Sequence, residues 1–262
     1  MMYTFEPIGV VRCEGQYKFE APRQGVFSAS QAVIELESRF SGDAIDDLHG
    51  FERIWVIFVF DRNLGMPWKA KAAPPCTAGK RKYSLFATRS PYRPNPIGMS
   101  CVKLEKIEGR KIYISCHDLL DNTPVLDIKP YIPEADAFPD AAAGWRDEVR
   151  APEWKIVYSE VFREKAEFLR EAGAPDMMNF CEVQLVREPL NSSRRRIFQL
   201  AEDDGYEIGC RTWRLRFRME KESSQIMMLD IRSNYRPDEL LPEAADCYAD
   251  KEIHRKFIRK FS

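Results

Sequence analysis

The densest concentration of potential chemistry in the chain is Thr88-Arg89-Ser90-Pro91-Tyr92-Arg93-Pro94-Asn95-Pro96-Ile97-Gly98. Pro91, Pro94 and Pro96 fix φ, remove amide donors and push the residues before them towards extended conformations. Neither a helix nor a central strand fits there. The segment reads as a stiff extended loop that presents Arg89, Arg93 and Asn95 with little entropy left to lose, as a pre-organised binding site would. The plainer alternative is a rigid connector between strands. A second segment, Asp118-Leu119-Leu120-Asp121-Asn122-Thr123-Pro124-Val125-Leu126-Asp127-Ile128-Lys129-Pro130-Tyr131, follows directly on a predicted strand and reads as a loop at a sheet rim. Carboxylates in such a loop can accept hydrogen bonds from hydroxyl or amino groups, or take a proton from an N–H. They can equally cap turns. His117 and Asp118 are adjacent, but neighbours on a strand point to opposite faces, so the pair is not read as a dyad.

The elements that must position these segments are mostly strands. Phe5–Arg12, Ala32–Glu37, Ile54–Phe60, Tyr83–Thr88, Met99–Ile107 and Ile112–His117 are short, rich in β-branched or aromatic residues, and bounded by Gly, Pro or charge. Ile54–Phe60 is apolar on both faces and predicts a central strand; Glu108-Gly109 predicts a hairpin turn. A short helix is expected over Asp43–His49, with Ser41 as its cap. Closely spaced strands with little helix between them predict a mainly β fold, an antiparallel β-barrel to about residue 150. A smaller α+β domain is expected over 151–262. In it Val157–Ala172 and Asp176–Val186 read as helices, and Thr212–Glu220 as a strand with Met227–Ile231 returning beside it. The tail Lys251–Phe261 reads as a basic helix, packed against the domain or serving as a dimer element. Along Thr212–Glu220, Trp213, Leu215, Phe217 and Met219 alternate with Arg214, Arg216 and Arg218. Those arginines could meet nucleic-acid phosphates, as could Arg194-Arg195-Arg196, or form a solvated face.

Composition narrows the classes. The 262 residues are 44% hydrophobic and carry a formal charge of −1, so any polyanionic partner needs a local basic patch. Seven scattered cysteines without a CxxC pair and three distant histidines argue against a zinc or redox centre. No GxGxxG or GxxxxGK[ST] occurs, so neither dinucleotide-binding nor P-loop phosphate chemistry is signalled. No apolar run approaches the ~20 residues that span a bilayer. The N-terminal MMYTFEPIGVV lacks the basic region of an export signal, so a reducing, cytoplasmic setting without membrane contact is expected.

RSPYRPNPIG followed by DLLDNTPVLDIKPYIP resembles the TsaA-like, or TrmO, family of tRNA methyltransferases. The likeness extends to FEPIGVVRC, to Ala21-Pro22-Arg23-Gln24-Gly25, and to Gly50-Phe51-Glu52 with IWVIFVF, covering residues 3 to about 145, and more weakly to Trp213–Phe217. It implies a non-Rossmann β-barrel that uses S-adenosylmethionine to methylate N6 of N6-threonylcarbamoyladenosine in the anticodon loop of a threonine tRNA. It also implies a homodimer with cofactor sites near the subunit interface and no metal. By motif, cofactor contacts would come from Pro22, Arg23, Gln24, Asp61, Arg62, Arg89, Asp118, Leu119, Leu120 and Asp121, and Asp118 and Asn95 would serve the chemical step. Arg89 would pair with the methionine carboxylate. An acidic group would bind the ribose or take the N6 proton, a choice the residues leave open. Asp61-Arg62 departs from the His-Gln-like pair common in the family, and Asn122 stands where glycine is common, able to take the same left-handed conformation. A different methyl acceptor and a non-catalytic RNA-binding barrel are the rival functions.

Overall fold

The computed structural model describes residues 3–22, 24–77, 81–149, 153–187, 189–190, 197–200 and 204–261. The chain divides into two compact units, Met1–Arg150 and Ala151–Ser262. Arg23 and Arg194-Arg195-Arg196, singled out above, lie outside the described residues.

In the first unit the chain runs through β1 (Gly9–Cys13), β2 (Gln31–Leu36), β3 (Arg53–Val59), β4 (Lys71–Ala72), β5 (Tyr83–Ser84), β6 (Ile97–Glu108), β7 (Lys111–Ser115) and β8 (Pro124–Pro130). Two single-turn helices follow, α1 (Pro133–Asp136) and α2 (Trp145–Glu148). Six strands close into an antiparallel barrel in the order β1-β2-β7-β6-β3-β8, while β4 and β5 pair only with each other. Alternation explains the closure. Val11, Ile34, Ile54, Val56, Val102, Ile112 and Val125 are fully buried inside, and their neighbours along each strand face outwards. Each such side chain contributes about 1.5–3 kcal/mol on burial. The expected turn joins β6 to β7, with Gly109 at φ +56°.

Several boundaries differ from the sequence reading. The expected loop 118–131 is a loop only to Thr123; from Pro124 the chain forms β8, which closes the barrel between β1 and β3. Its prolines stand at the two ends of the strand, the first being a position where a missing N–H is tolerated. The helix expected at Asp43–His49 is two 3₁₀ turns, Gly42–Ala44 and Asp46–Gly50, interrupted at Ile45, whose side chain is buried in the barrel core. Such short segments gain too few hydrogen bonds to nucleate an α-helix. The strand expected at Tyr83–Thr88 stops at Ser84, because its partner β4 is two residues long. β1 begins at Gly9 rather than Phe5, past Pro7. β7 ends at Ser115, where Cys116 turns the chain with φ +55°.

The second unit contains β9 (Lys155–Tyr158), α3 (Glu160–Glu171), α4 (Met177–Leu185), β10 (Ile197–Gln199), β11 (Gly205–Cys210), β12 (Trp213–Glu220), β13 (Gln225–Ser233) and α5 (Lys251–Phe261). The sheet runs β10-β11-β12-β13-β9, and β9 alone is parallel to its neighbour. Trp213, Leu215 and Phe217 of β12 pack against Phe162 and Leu169 of α3, Phe180 of α4 and Phe257 of α5. The helix expected from Val157 begins only at Glu160. Val157 and Tyr158 belong to β9, and Ser159 caps α3 by accepting the Phe162 amide at 3.1 Å. Val161, in the first turn of α3, is exposed. Asp176 caps α4, and α5 spans the whole predicted tail helix.

Candidate active site

The proline-rich segment and the loop after β7 meet at a cavity of about 850 Å³ in the barrel unit. That size lies within the range of small-molecule sites. Among the described residues, Pro22, Gln24, Asp61, Arg62, Arg89, Asp118, Leu119 and Leu120 line it, whereas Asn95 and Asp121 do not. Asn95 is exposed, and its carbonyl accepts the Ile97 amide at 2.8 Å in the tight turn that leads into β6. Asp121 is engaged in holding its loop: its carboxylate accepts the Cys13 amide at 3.2 Å and the Asn122 side-chain amide at 2.7 Å. Asn122 takes φ +63°, the left-handed conformation expected of it.

Internal bonds set the cavity walls. Arg93 folds back on its own loop, donating to the carbonyls of Thr88 at 2.9 Å and Ser90 at 3.4 Å, so one of the two loop guanidiniums is structural. Arg89 donates to Gln24 Oε1 at 2.7 Å, which links the proline-rich wall to the segment before β2. Arg62 donates to the carbonyls of Gln16 and Asp121 and so clamps two loops at the rim. A methyl group on Gly25 would overlap the Cys116 carbonyl, so only glycine lets the Gly25–Phe27 turn lie against the start of the 116–123 loop.

Asp118 Oδ1 accepts the Ser100 hydroxyl at 2.5 Å. Burial raises the Asp118 carboxyl above the ordinary range, and Ser100 and Arg89 pull it back in part. Asp118 lines the cavity and His117 does not. His117 is buried, with Nδ1 accepting the Leu119 amide at 3.2 Å, and burial lowers its pKa. Among the described residues no cluster of three His, Cys, Asp or Glu side chains could hold a metal.

The cavity walls carry both guanidinium donors, Arg62 and Arg89, and carboxylate acceptors, Asp61 and Asp118. Residues 10–137 match the model of the tRNA-methyltransferase O N-terminal domain. A tRNA (adenine(37)-N6)-methyltransferase of Escherichia coli is 32% identical over 238 residues, an alignment covering 88% of this chain and 99% of that protein. The chain belongs to the tRNA-methyltransferase O family. A crystal structure of TrmO from Pseudomonas aeruginosa superposes with a TM-score of 0.65 at 30% identity, covering 89% of this chain and 98% of the other. The human tRNA (adenine(37)-N6)-methyltransferase is 43% identical over 136 residues, which are 50% of this chain and 31% of that protein.

Within this tRNA-methyltransferase O barrel, the cavity also holds residues that no motif singled out. Lys18 donates to Asn63 Oδ1 at 2.9 Å and to the Arg62 carbonyl at 2.8 Å. Trp55 donates to Asp136 at 2.9 Å and lies 5.9 Å from the Tyr131 ring. Ser100 is concealed in the ordinary alternation of β6. Trp55 alone had a signal, the apolar outer face of Ile54–Phe60. In the second unit, Arg214, Arg216 and Arg218 lie on the sheet face opposite the helices; Arg218 is exposed and the other two are half-buried. Arg214 lies across Gly209 and over the Phe198 ring at 5.8 Å.

Proposed function

We propose that this chain is an S-adenosylmethionine-dependent tRNA methyltransferase that modifies N6 of N6-threonylcarbamoyladenosine in the anticodon loop of a threonine tRNA. The observation that carries the reading is the meeting of Arg89, Gln24 and Asp118 in one cavity of a barrel that belongs to the tRNA-methyltransferase O family. When bound, S-adenosylmethionine supplies a methyl group activated by its sulfonium. The protein's part is placement, which can supply much of the acceleration of an in-line displacement. Arg89, oriented by Gln24, receives the methionine carboxylate. Leu119 and Leu120 give the pocket an apolar wall, Pro22 and the Asp61–Arg62 rim bound it, and Asp118 adds a carboxylate to its lining.

A homodimer fits this reading. Ile97 and Met99 leave apolar side chains exposed on the outer barrel face at 41% and 56%, beside the cavity they help to line. Among the described residues no helix is long and apolar enough to cross a membrane, and a tRNA substrate supports a cytoplasmic setting.

Titration calorimetry with S-adenosylmethionine, with and without EDTA, tests the cofactor. Binding heat that survives EDTA is expected, and absence of heat at high protein concentration returns the chain to a non-catalytic RNA-binding barrel. Nucleoside mass spectrometry of tRNA from a strain lacking the gene tests the acceptor, with loss of the N6-methyl nucleoside expected.

A further inference from the structure

This inference rests on the methyltransferase reading and concerns how the acceptor nitrogen loses its proton. In N6-threonylcarbamoyladenosine, N6 lies between the purine and a carbonyl, so its lone pair is delocalised and a poor nucleophile until the N–H proton departs. A base is therefore needed within reach of the cavity.

Ser100 lies on β6 in register with Val56 of β3, buried at 7% exposure amid Val56, Phe58 and Val102. Burying a hydroxyl among such neighbours costs about 1–3 kcal/mol unless it is hydrogen-bonded. The Ser100 hydroxyl meets that need at Asp118 Oδ1, 2.5 Å away, and both residues line the cavity. The loop that carries Asp118 is itself fixed. Cys116 turns with φ +55°, and His117 goes inward and takes the Leu119 amide on Nδ1. Leu119 is 2% exposed. The groups facing Asp118 are Ser100 from β6, Arg89 from the proline-rich segment, and its own backbone amide. Ser100 engages Oδ1, which turns the acceptor towards Oδ2.

We infer that Ser100 is the positioning residue that holds Asp118 as the base for the acceptor N6–H. The N6–H bond breaks and its proton goes to Asp118 Oδ2. The freed N6 electron pair forms the bond to the methyl carbon. The carbon–sulfur bond breaks with its pair passing to sulfur, which leaves as the neutral thioether, and the carboxyl proton is then lost to solvent. The Ser100 hydrogen bond favours the ionised carboxylate, so removing it raises the pKa of the base and shrinks the active fraction at low pH.

The test compares Ser100→Ala and Ser100→Thr with the unaltered chain in tRNA methylation across pH, with calorimetric binding of S-adenosylhomocysteine alongside. Ser100→Ala is expected to lower kcat by about 10–100-fold. It should also move the acid limb of the kcat profile to higher pH, leave the Kd for S-adenosylhomocysteine within about twofold, and be rescued by Ser100→Thr. A weakened Kd with unchanged kcat overturns the inference and assigns Asp118 to the cofactor ribose. An unmoved acid limb in a folded Ser100→Ala variant overturns it too. Failure of the unaltered chain to methylate tRNA while it binds cofactor overturns the parent reading and this inference together, and shows itself before any substitution is made.

Discussion

Arg89 and Arg93 have the same side chain on the same stiff loop, and the structure gives them different work. Arg93 is engaged with the Thr88 and Ser90 carbonyls, whereas Arg89 reaches outwards to Gln24 across the cavity wall. Arg89→Ala is therefore expected to weaken S-adenosylmethionine binding by about 1.5–3 kcal/mol, the scale of hydrogen bonds to charged groups. An unchanged Kd in a folded variant removes Arg89 from the pocket. His117 supports a pH prediction. Burial holds its imidazole below the ordinary value of 6.5, and Nδ1 already accepts the Leu119 amide. The unfolded chain recovers the ordinary affinity, so below pH 6.5 it binds more protons than the folded chain. Stability from this group is present above that pH and is lost as pH falls towards the depressed folded value. Denaturant melts should show stability declining below about pH 6.5 by up to ~1.4 kcal/mol per unit. His117→Asn, which keeps an acceptor near the Nδ1 position, should flatten that decline; an unaltered pH slope removes His117 as its source.

At the scale of elements, two close approaches make the cavity: the Gly25–Phe27 turn against the 116–123 loop, and β6 against the same loop through Ser100. Gly25→Ala should force the first apart, because the atom its methyl would meet is the Cys116 backbone carbonyl and not a movable side-chain tip. A loss of about 1–3 kcal/mol is expected, with weaker cofactor binding as Gln24 is displaced. Gly50→Ala is the matched control: nothing lies within 4 Å of its Cβ position, and it should be neutral within about 0.5 kcal/mol. A stable Gly25→Ala variant with full cofactor affinity removes the turn from any role in shaping the cavity. Local pattern made much of this architecture readable. Period-2 alternation marks β6, β7 and β12 because each buries one face more than the other. β8 escaped notice because Asp127, Lys129 and two terminal prolines resemble a loop, and barrel closure, not composition, makes it a strand. β9 escaped because its partner is β13, with Ile156 pairing Ile226, a non-local contact that no window near Val157 contains. The two motif segments meet at one cavity, yet which of their side chains reach it is a matter of loop geometry. The Asn95 side chain is exposed, the Asp121 carboxylate accepts the distant Cys13 amide, and Ser100 has a partner only because the chain reverses at Cys116.

For the whole molecule, the difficulty is a polyanionic partner and a net charge of −1. Such a chain gains no general attraction to tRNA, so affinity must come from a local surface. In the second unit the sheet face opposite the helices carries Arg214, Arg216, Arg218 and Arg232. Arg232 is held by Glu207 through two bonds, at 2.8 and 2.7 Å, and the regular alternation of Arg214, Arg216 and Arg218 along β12 makes that row the candidate for phosphate contacts. Arg214 is crowded there: burial and the neighbouring Arg232 both lower its pKa, so a phosphate laid over the row would relieve like-charge repulsion. Replacing Arg214, Arg216 and Arg218 together with glutamine keeps much of their packing on the sheet while removing three charges. If all three hold phosphates, tRNA affinity should fall and the slope of log K against log salt should flatten by about 0.7–0.9 per contact, or roughly 2–2.7 in all. Cofactor affinity should not change, because the Arg89–Gln24–Asp118 cavity belongs entirely to the barrel unit. Filter binding of tRNA across a salt series, with S-adenosylmethionine calorimetry on the same protein, separates the two effects. An unaltered slope assigns this face to solvent and places the tRNA contacts elsewhere on the molecule.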